Sequence, residues 1–407
     1  MQTHSPALLS ECGSSYRRRF SLWILLTLFV LAAGQLAYAA DTIKVPMTND
    51  GWTVTAGTVD FAEYMGRPAI SLKAGNFAKH IPTGAAVLKS VNFHNGTIEY
   101  DVIASGGMGA GFVFRRSDKD NYEMFYLRPR PKCEDAPDCI QYAPETKGAL
   151  LWDVFPQYQG PAPLQQEGWN HVKLVVNGKR MNIFINGAST PTLKIGRLEG
   201  DAEEGSIMIE GPGVFSNITV TPDATEGLTA EPEKDDTDAD NRYVRHWQLS
   251  SLSKLEANTA PAYAGMPAVS AKWMPIDAER DGFINASRVY GVPADRPARS
   301  VVWLKTTIHS SKAQTKHLSF GWLREAFVYV NGDLVFADKN LYMQAASARK
   351  APDGRLSLQN GGLTLPLKEG DNEVAIAIVN DFYGWGIKMH LDDMDNVTLA
   401  TRQVATR

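Results

Sequence analysis

"WNHVKLVVNGKRMNIFINGAS", residues Trp169–Ser189, alternates apolar and polar side chains on both sides of an Asn177-Gly178 pair. Val172, Leu174 and Val176 share one face going in, and Met181, Ile183 and Ile185 share it coming back. Successive strand residues point to opposite faces, and Asn-Gly supplies the left-handed backbone of a tight turn, so the stretch reads as a β-hairpin with one buried face. The same period of two recurs nearby. In "GTIEYDVIAS", Ile98, Tyr100 and Val102 oppose Glu99 and Asp101; in "GSIMIEGPGVFSNITVTP", Ile207, Ile209, Phe215, Ile218 and Val220 supply further strands. Short alternating segments broken by Gly, Asn and Pro, with no long helical pattern, predict an all-β sandwich over residues 40–222.

The chain has 407 residues, which suggests two cores, since single domains usually run to roughly 100–200 residues. A second β-rich stretch, residues 243–401, carries "SVVWLKTTIHS", "HLSFGW", "AFVYVNGDLVFAD", "GGLTLPLKEGDNEVAIAIVND" and "GIKMHLDD" as strands and turns. Between them "DATEGLTAEPEKDDTDADNR", residues 223–242, is acidic and almost free of large apolar side chains. Such a segment buries too little surface to offset its ordering entropy, and is expected to be a solvated tether. Asp236, Asp238 and Asp240 imitate the start of a calcium loop, but Asn241 stands where its glycine belongs and Trp247 where its glutamate belongs. No cofactor is expected, and structural calcium lacks a complete motif.

Residues 1–39 read as a signal peptide, with Arg17, Arg18 and Arg19 ahead of "FSLWILLTLFVLAA" and a small-x-small site at Ala37-Tyr38-Ala39. An uncleaved membrane anchor and twin-arginine export are the alternatives. The expected location is therefore extracytoplasmic, periplasmic or secreted, and membrane contact is expected only if the segment is retained. Residues 402–407 form a short tail. Removal of Cys12 would leave Cys133 and Cys139, separated by five residues, and in an oxidising compartment they are expected to form a disulfide. A formal net charge of -4 supplies no concentrated basic surface, which argues against a nucleic-acid partner. Nothing in the sequence fixes an oligomeric state.

"FYLRP" at 125–129, "IQYAP" at 140–144, Trp152, "FINGA" at 184–188 and "FSNITV" at 215–220 together resemble the concanavalin A-like sandwich family, in its laminin-G and keto-disaccharide-hydrolase branch. In the second half "WMPIDAERDGFINASRVYG", "AFVYVNGDLVF" and "LKEGDNEVAIAIVN" resemble galactose-binding-like jelly rolls. Both resemblances imply β-sandwiches, a fold that many functions share, and the first also implies a glycan-active hydrolase as one reading.

Catalytic patterns are incomplete. Glu99 and Asp101 begin the Glu-x-Asp-x-Glu face of retaining sandwich glycosidases, but Ile103 and Ala104 occupy the places of the third carboxylate, so the pair also reads as the outer polar face of a strand. There is no Gly-x-Ser-x-Gly elbow and no His-Glu-x-x-His; Ser251–Lys254 and Ser347–Lys350 match only the short Ser-x-x-Lys pattern. "GGMGAG" at 106–111 runs into a strand, where a phosphate loop would open a helix.

What remains suits sugar recognition, in which rings stack on C–H faces and planar polar groups bind paired hydroxyls. Arg128, Gln141, Tyr142, Trp152 and Asp153 form one set beside the cysteines, with Tyr142 and Trp152 also readable as core. Phe382, Tyr383 and Trp385 in a Gly-flanked loop form a second, expected as an exposed platform or as packing between the sandwiches. Trp322 and Arg324 are weaker candidates. The expected function is exported, non-catalytic glycan binding. Its rivals are a glycan hydrolase, drawing on Glu99, Asp101, Glu123 and Asp153, and a structural or adhesive surface protein.

Overall fold

The alternating segments become four antiparallel sheets in the computed structural model, which describes residues 41–105, 109–292, 299–342 and 352–402. The proposed signal segment, Ser347–Lys350 and the start of the Gly-rich loop at 106–108 lie outside the described residues. No described helix is long and apolar enough to cross a membrane.

In the first sandwich one sheet runs Leu193–Ile195, Arg180–Ile185, Asn170–Asn177, Gly96–Ala104, Gly213–Pro222, Arg67–Leu72, Val59–Tyr64, with Ile43–Lys44 beside Gly213–Pro222. The other runs Ala149–Leu150, Ile140–Thr146, Asn121–Leu127, Ala110–Asp118, Gly205–Glu210, Ala85–Phe93, Trp52–Ala56. The hairpin pairs Val172 with Ile185 and Val176 with Met181, as its turn requires, with Gly178 at φ 53°. Its inward residues join Ile98, Tyr100 and Val102 from one sheet and Phe112, Phe125 and Ile140 from the other in a closed core.

The second sheet is covered on both faces. Across it Glu210 pairs with Gly111, Gly111 with Tyr126 and Tyr126 with Gln141, so these side chains share the face turned away from the core. That face also carries Val113, Tyr122, Met124, Ala143 and Met208, against which Trp152, Tyr342 and Tyr383 pack. Arg128, two residues beyond Tyr126, extends it.

The second sandwich sets a sheet of Trp273–Asp277, His246–Ser250, Arg299–Ser310, Gly370–Asn380, Arg324–Val330 and Asp333–Asn340 against one of Phe283–Asn285, Gly386–Leu391, Gln314–Trp322 and Gly361–Leu367. Its core holds Trp247, Phe320, Trp322, Ile376 and Trp385. Phe283, Leu323 and Leu356 leave this core for the first one, where Phe283 meets Phe155 edge to face at 5.9 Å.

Residues 223–242, expected as a solvated tether, are hydrogen-bonded to both sandwiches. Asn177 Nδ2 donates to Leu228 O at 2.6 Å, and Lys179 N to Ala230 O at 2.9 Å. Further along, Asp281 N donates to Asp235 Oδ2 at 3.0 Å and His390 Nε2 lies 3.0 Å from Asp240 Oδ2. The segment is ordered mainly by polar contacts, having little apolar surface to bury; that is the departure from expectation.

Candidate functional site

The stapled loop leaves the strand Asn121–Leu127 and returns as Ile140–Thr146. Cys133 and Cys139 are bridged, with Cα atoms 5.5 Å apart. Arg128 N donates to Cys139 O at 2.7 Å, which closes the loop's base. The Arg128 guanidinium lies over the Tyr126 ring at 5.0 Å, and its Nη2 donates to Gln141 Oε1, which also accepts from Tyr126 Oη at 2.7 Å. Gln141 Nε2 donates in turn to Trp152 O at 2.6 Å. Charge-assisted bonds of this kind hold side chains in single orientations. The loop also reaches outward: Asp138 pairs with Arg130, and its Oδ2 accepts from Arg355 Nη2 of the second sandwich at 2.9 Å.

Trp152 sits where the sandwiches meet. Its ring stands edge to face with Tyr342 at 4.9 Å and Tyr383 at 6.0 Å, and Arg355 lies 5.2 Å over it. The next residue, Asp153, is fully buried; its Oδ1 accepts from Gly384 N at 3.2 Å and its carbonyl from Leu356 N at 2.8 Å. Burial pushes the Asp153 carboxyl up to about 6, against the opposing pull of Arg324. Arg324 Nη2 is 4.0 Å from Asp153 Oδ2, and the guanidinium lies 4.2 Å over the Phe382 ring. Phe382 is 36% exposed and packs edge to face with Tyr383 at 4.4 Å. Residues singled out in both halves of the chain thus converge on one seam: Arg128, Gln141, Trp152 and Asp153 from one side, Arg324, Phe382 and Tyr383 from the other.

Other candidates lie elsewhere. Trp385, expected in an exposed loop, is fully buried: its indole N–H donates to Gly291 O at 3.1 Å and its ring packs in the second core. Trp385, Ile387, Met389 and Leu391 share strand parity, so the buried face of Gly386–Leu391 begins one residue before the strand. Trp322 is also core, stacked on Phe320 at 5.3 Å. Tyr142 is fully buried in the first core, donating to Glu123 Oε2 at 2.7 Å and accepting from Glu199 N at 2.6 Å. Glu99 and Asp101 lie on the opposite sheet's outer face. His171 bridges them, with Nδ1 at 2.9 Å from Asp101 and Nε2 at 3.2 Å from Glu99, and Arg67 and Asn217 also bond to Asp101 at 2.7 Å.

Tyr342, Arg355 and Glu199 did not emerge from the sequence reading. Glu199 is 5% exposed, accepts from Tyr158 Oη at 2.8 Å, and has its carboxyl pushed up to about 7 by burial. No local pattern marks it, because its partners come from Tyr158, Tyr142 and the second sandwich. Among the described residues no group of three or more His, Cys, Asp and Glu side chains is placed to hold a metal ion. Asp240, in the calcium-like run, instead binds Arg242 at 2.7 Å.

Residues 47–221, less than half of the chain, match a family model described as a 3-keto-alpha-glucoside-1,2-lyase-like domain. Among solved structures, carbohydrate binding module CBM66 from Bacillus subtilis is similar at 18% identity, covering 42% of this chain and 91% of that one, with TM-score 0.28. A beta-glucanase from Bacillus licheniformis is similar at 10% identity, with 46% and 99% covered and TM-score 0.31. A structure titled as a native glycosidic hydrolase is similar at 12% identity, with 47% and 100% covered and TM-score 0.33. No curated protein sequence matches the chain.

Proposed function

We propose that this protein binds a carbohydrate at the seam between its two sandwiches, with Phe382, Tyr383 and Tyr342 presenting ring surface and Arg128 presenting hydrogen-bond donors. The carrying observation is the convergence of aromatic rings from the second sandwich, over Trp152, on the largely apolar outer face of the first, which Gln141 and Arg128 edge with polar groups. Flat rings beside planar charged groups are suited to a saccharide's alternating C–H and O–H surfaces. The resemblance of the first half to concanavalin A-like proteins and of the second to galactose-binding-like jelly rolls supports the reading, as does the family match over 47–221. Trp152, Gln141 and Asp153 are buried, and in this reading they hold the rim in place.

Binding without turnover is the preferred form, because His171, Arg67 and Asn217 already engage Glu99 and Asp101. No cofactor is needed. Export is part of the same reading, supported by the basic and apolar N-terminal sequence and by a disulfide of the kind that persists outside the cytoplasm. The test is a glycan array probed with the whole protein. Capture of a defined set of glycans, weakened at least tenfold by Phe382→Ala or Tyr383→Ala, is the expected result; no capture, or capture indifferent to both changes, removes the reading.

A glycan-active enzyme is the second reading, favoured by the description of the matching family model. Incubating the protein with α-glucosides and their 3-keto forms, with products followed by mass spectrometry, separates the two. Catalytic product formation replaces the binding role.

A further inference from the structure

A cleft of about 560 Å³ opens at the other end of the seam, walled by residues 197–201 of the first sandwich, 232–235 of the connection and 278–280 of the second sandwich. Its size falls within the roughly 300–1,000 Å³ of small-molecule sites, and such sites favour boundaries between domains. The walls carry both charges, but the two signs are not equally engaged.

The acidic groups are largely committed. Glu233 accepts from Arg180, Asp201 and Glu279 pair with Arg288, and Glu199 accepts from Tyr158. Asp235 accepts from Thr237 and from Asp281 N. Of the cationic groups, Arg288 is fully engaged by Glu279, Asp201 and Glu199 O, and Lys179 donates to Gly200 O at 2.8 Å, whereas Arg197, Arg280 and Lys234 keep donors in hand. Arg197 approaches only Glu199, at 3.4 Å through Nε, and its terminal nitrogens make no hydrogen bond among the described residues. Arg280 uses Nη2 alone, toward Lys234 O at 3.1 Å, and the Lys234 ammonium is exposed and engages no described residue. A ligand completing this cleft must bring acceptors, which a carboxylate supplies in the planar form a guanidinium matches. The cleft is also larger than a bare anion needs, and the exposed Asp238 offers an acceptor for ring hydroxyls.

We infer that this cleft is a second saccharide site, distinct from the aromatic rim, that takes a sugar acid: a uronate whose carboxylate meets Arg197 and Lys234 while its hydroxyls meet the acidic wall. The inference rests on the carbohydrate reading above and extends it to a ligand class.

The test is isothermal titration of the full chain with a glucuronate-containing disaccharide, a neutral glucose disaccharide and sodium sulfate. The uronate is expected to bind at one saturable site, and Arg197→Ala and Lys234→Ala are each expected to weaken it about tenfold. Both side chains are exposed enough to be removed without unfolding, which a thermal melt verifies; Lys73→Ala, an exposed cation outside the cleft, controls for net charge. No saturable uronate binding, equal binding of sulfate or of the neutral disaccharide, or indifference to both cleft variants overturns the inference. Phe382→Ala reads the rim and Arg197→Ala reads the cleft, so either site can fail while the other stands.

Discussion

Asp138 and Arg355 meet at 2.9 Å across the seam, with side chains only 8% and 5% exposed. The stapled loop is therefore a clamp as well as a turn: the residue beside Cys139 carries the carboxylate that receives a cation from the other sandwich. Arg355 further donates to Gln159 Oε1 at 3.0 Å and covers Trp152, so it ties three segments together.

Arg355→Met should leave Asp138 with a buried charge that Arg130 and, at 3.9 Å, Arg128 neutralise only in part. Removing one partner of a buried pair costs about 3–5 kcal/mol. Differential scanning calorimetry should show a lower melting temperature and a broadened or split transition as the sandwiches uncouple. A single transition at the original temperature would refute the clamp.

Replacing both Cys133 and Cys139 by alanine should cost about 2 kcal/mol, the chain-entropy value for so short a loop. Since the loop positions Asp138, the double variant combined with Arg355→Met should lose less than the sum of the two changes. Urea unfolding of the native protein and the three variants provides the cycle, and strict additivity would show that staple and clamp act separately.

Stability should fall as pH rises from about 4 to 7. The folded carboxyls of Asp153 and Glu199 are pushed up to about 6 and about 7 by burial, whereas unfolded carboxyls titrate near about 4. The folded state therefore holds protons that the unfolded state has released, and its advantage is complete below about 4 and lost as pH passes the folded values. Asp118, Asp235, Asp240 and Asp393, whose carboxyls are held below the usual range by hydrogen bonds, shift in the opposite sense and act below that window. Around Glu199 the facing groups are Tyr158, Arg197, Arg288, Glu279 and Lys388. Melting temperatures from pH 4.5 to 8 should decline for the native protein and decline less for Glu199→Gln; equal slopes would contradict the assignment.

Trp385→Ala and Phe382→Ala, three residues apart, should behave oppositely. Emptying the Trp385 site removes a fully buried ring and should cost about 3–5 kcal/mol. Phe382→Ala removes a part-exposed ring under Arg324 and should cost about 1 kcal/mol while weakening glycan capture. Chemical denaturation of both variants beside the array measurement checks the pair.

The strands were legible because each rests on a local period: Val172, Leu174 and Val176 announce their face within five residues, whatever lies elsewhere. The same rule, applied to Trp385, Ile387, Met389 and Leu391, puts the indole inside, whereas the flanking glycines favour an exposed loop. The connection was harder. Its order comes from Asn177, Lys179 and Asp281, all distant in sequence, and an acidic composition does not reveal distant donors. The seam residues share that difficulty. Asp138 and Arg355 stand 217 positions apart, and the value of each depends on the other. Arg128, Gln141 and Trp152 cluster along the chain and are legible there, whereas the neighbours of Glu199 gather only in space.

The hydrogen bonds from the first sandwich to residues 223–242 separate two boundaries that are easily conflated. The match to the family model stops at residue 221; mechanical integrity does not. A fragment truncated there would strip Asn177 and Lys179 of the carbonyls they bond, and would bare the flank of the hairpin turn that Ala230 covers. Anyone dissecting the protein into halves should therefore carry the acidic stretch with the N-terminal half, and should expect even that piece to miss the weight of its neighbour.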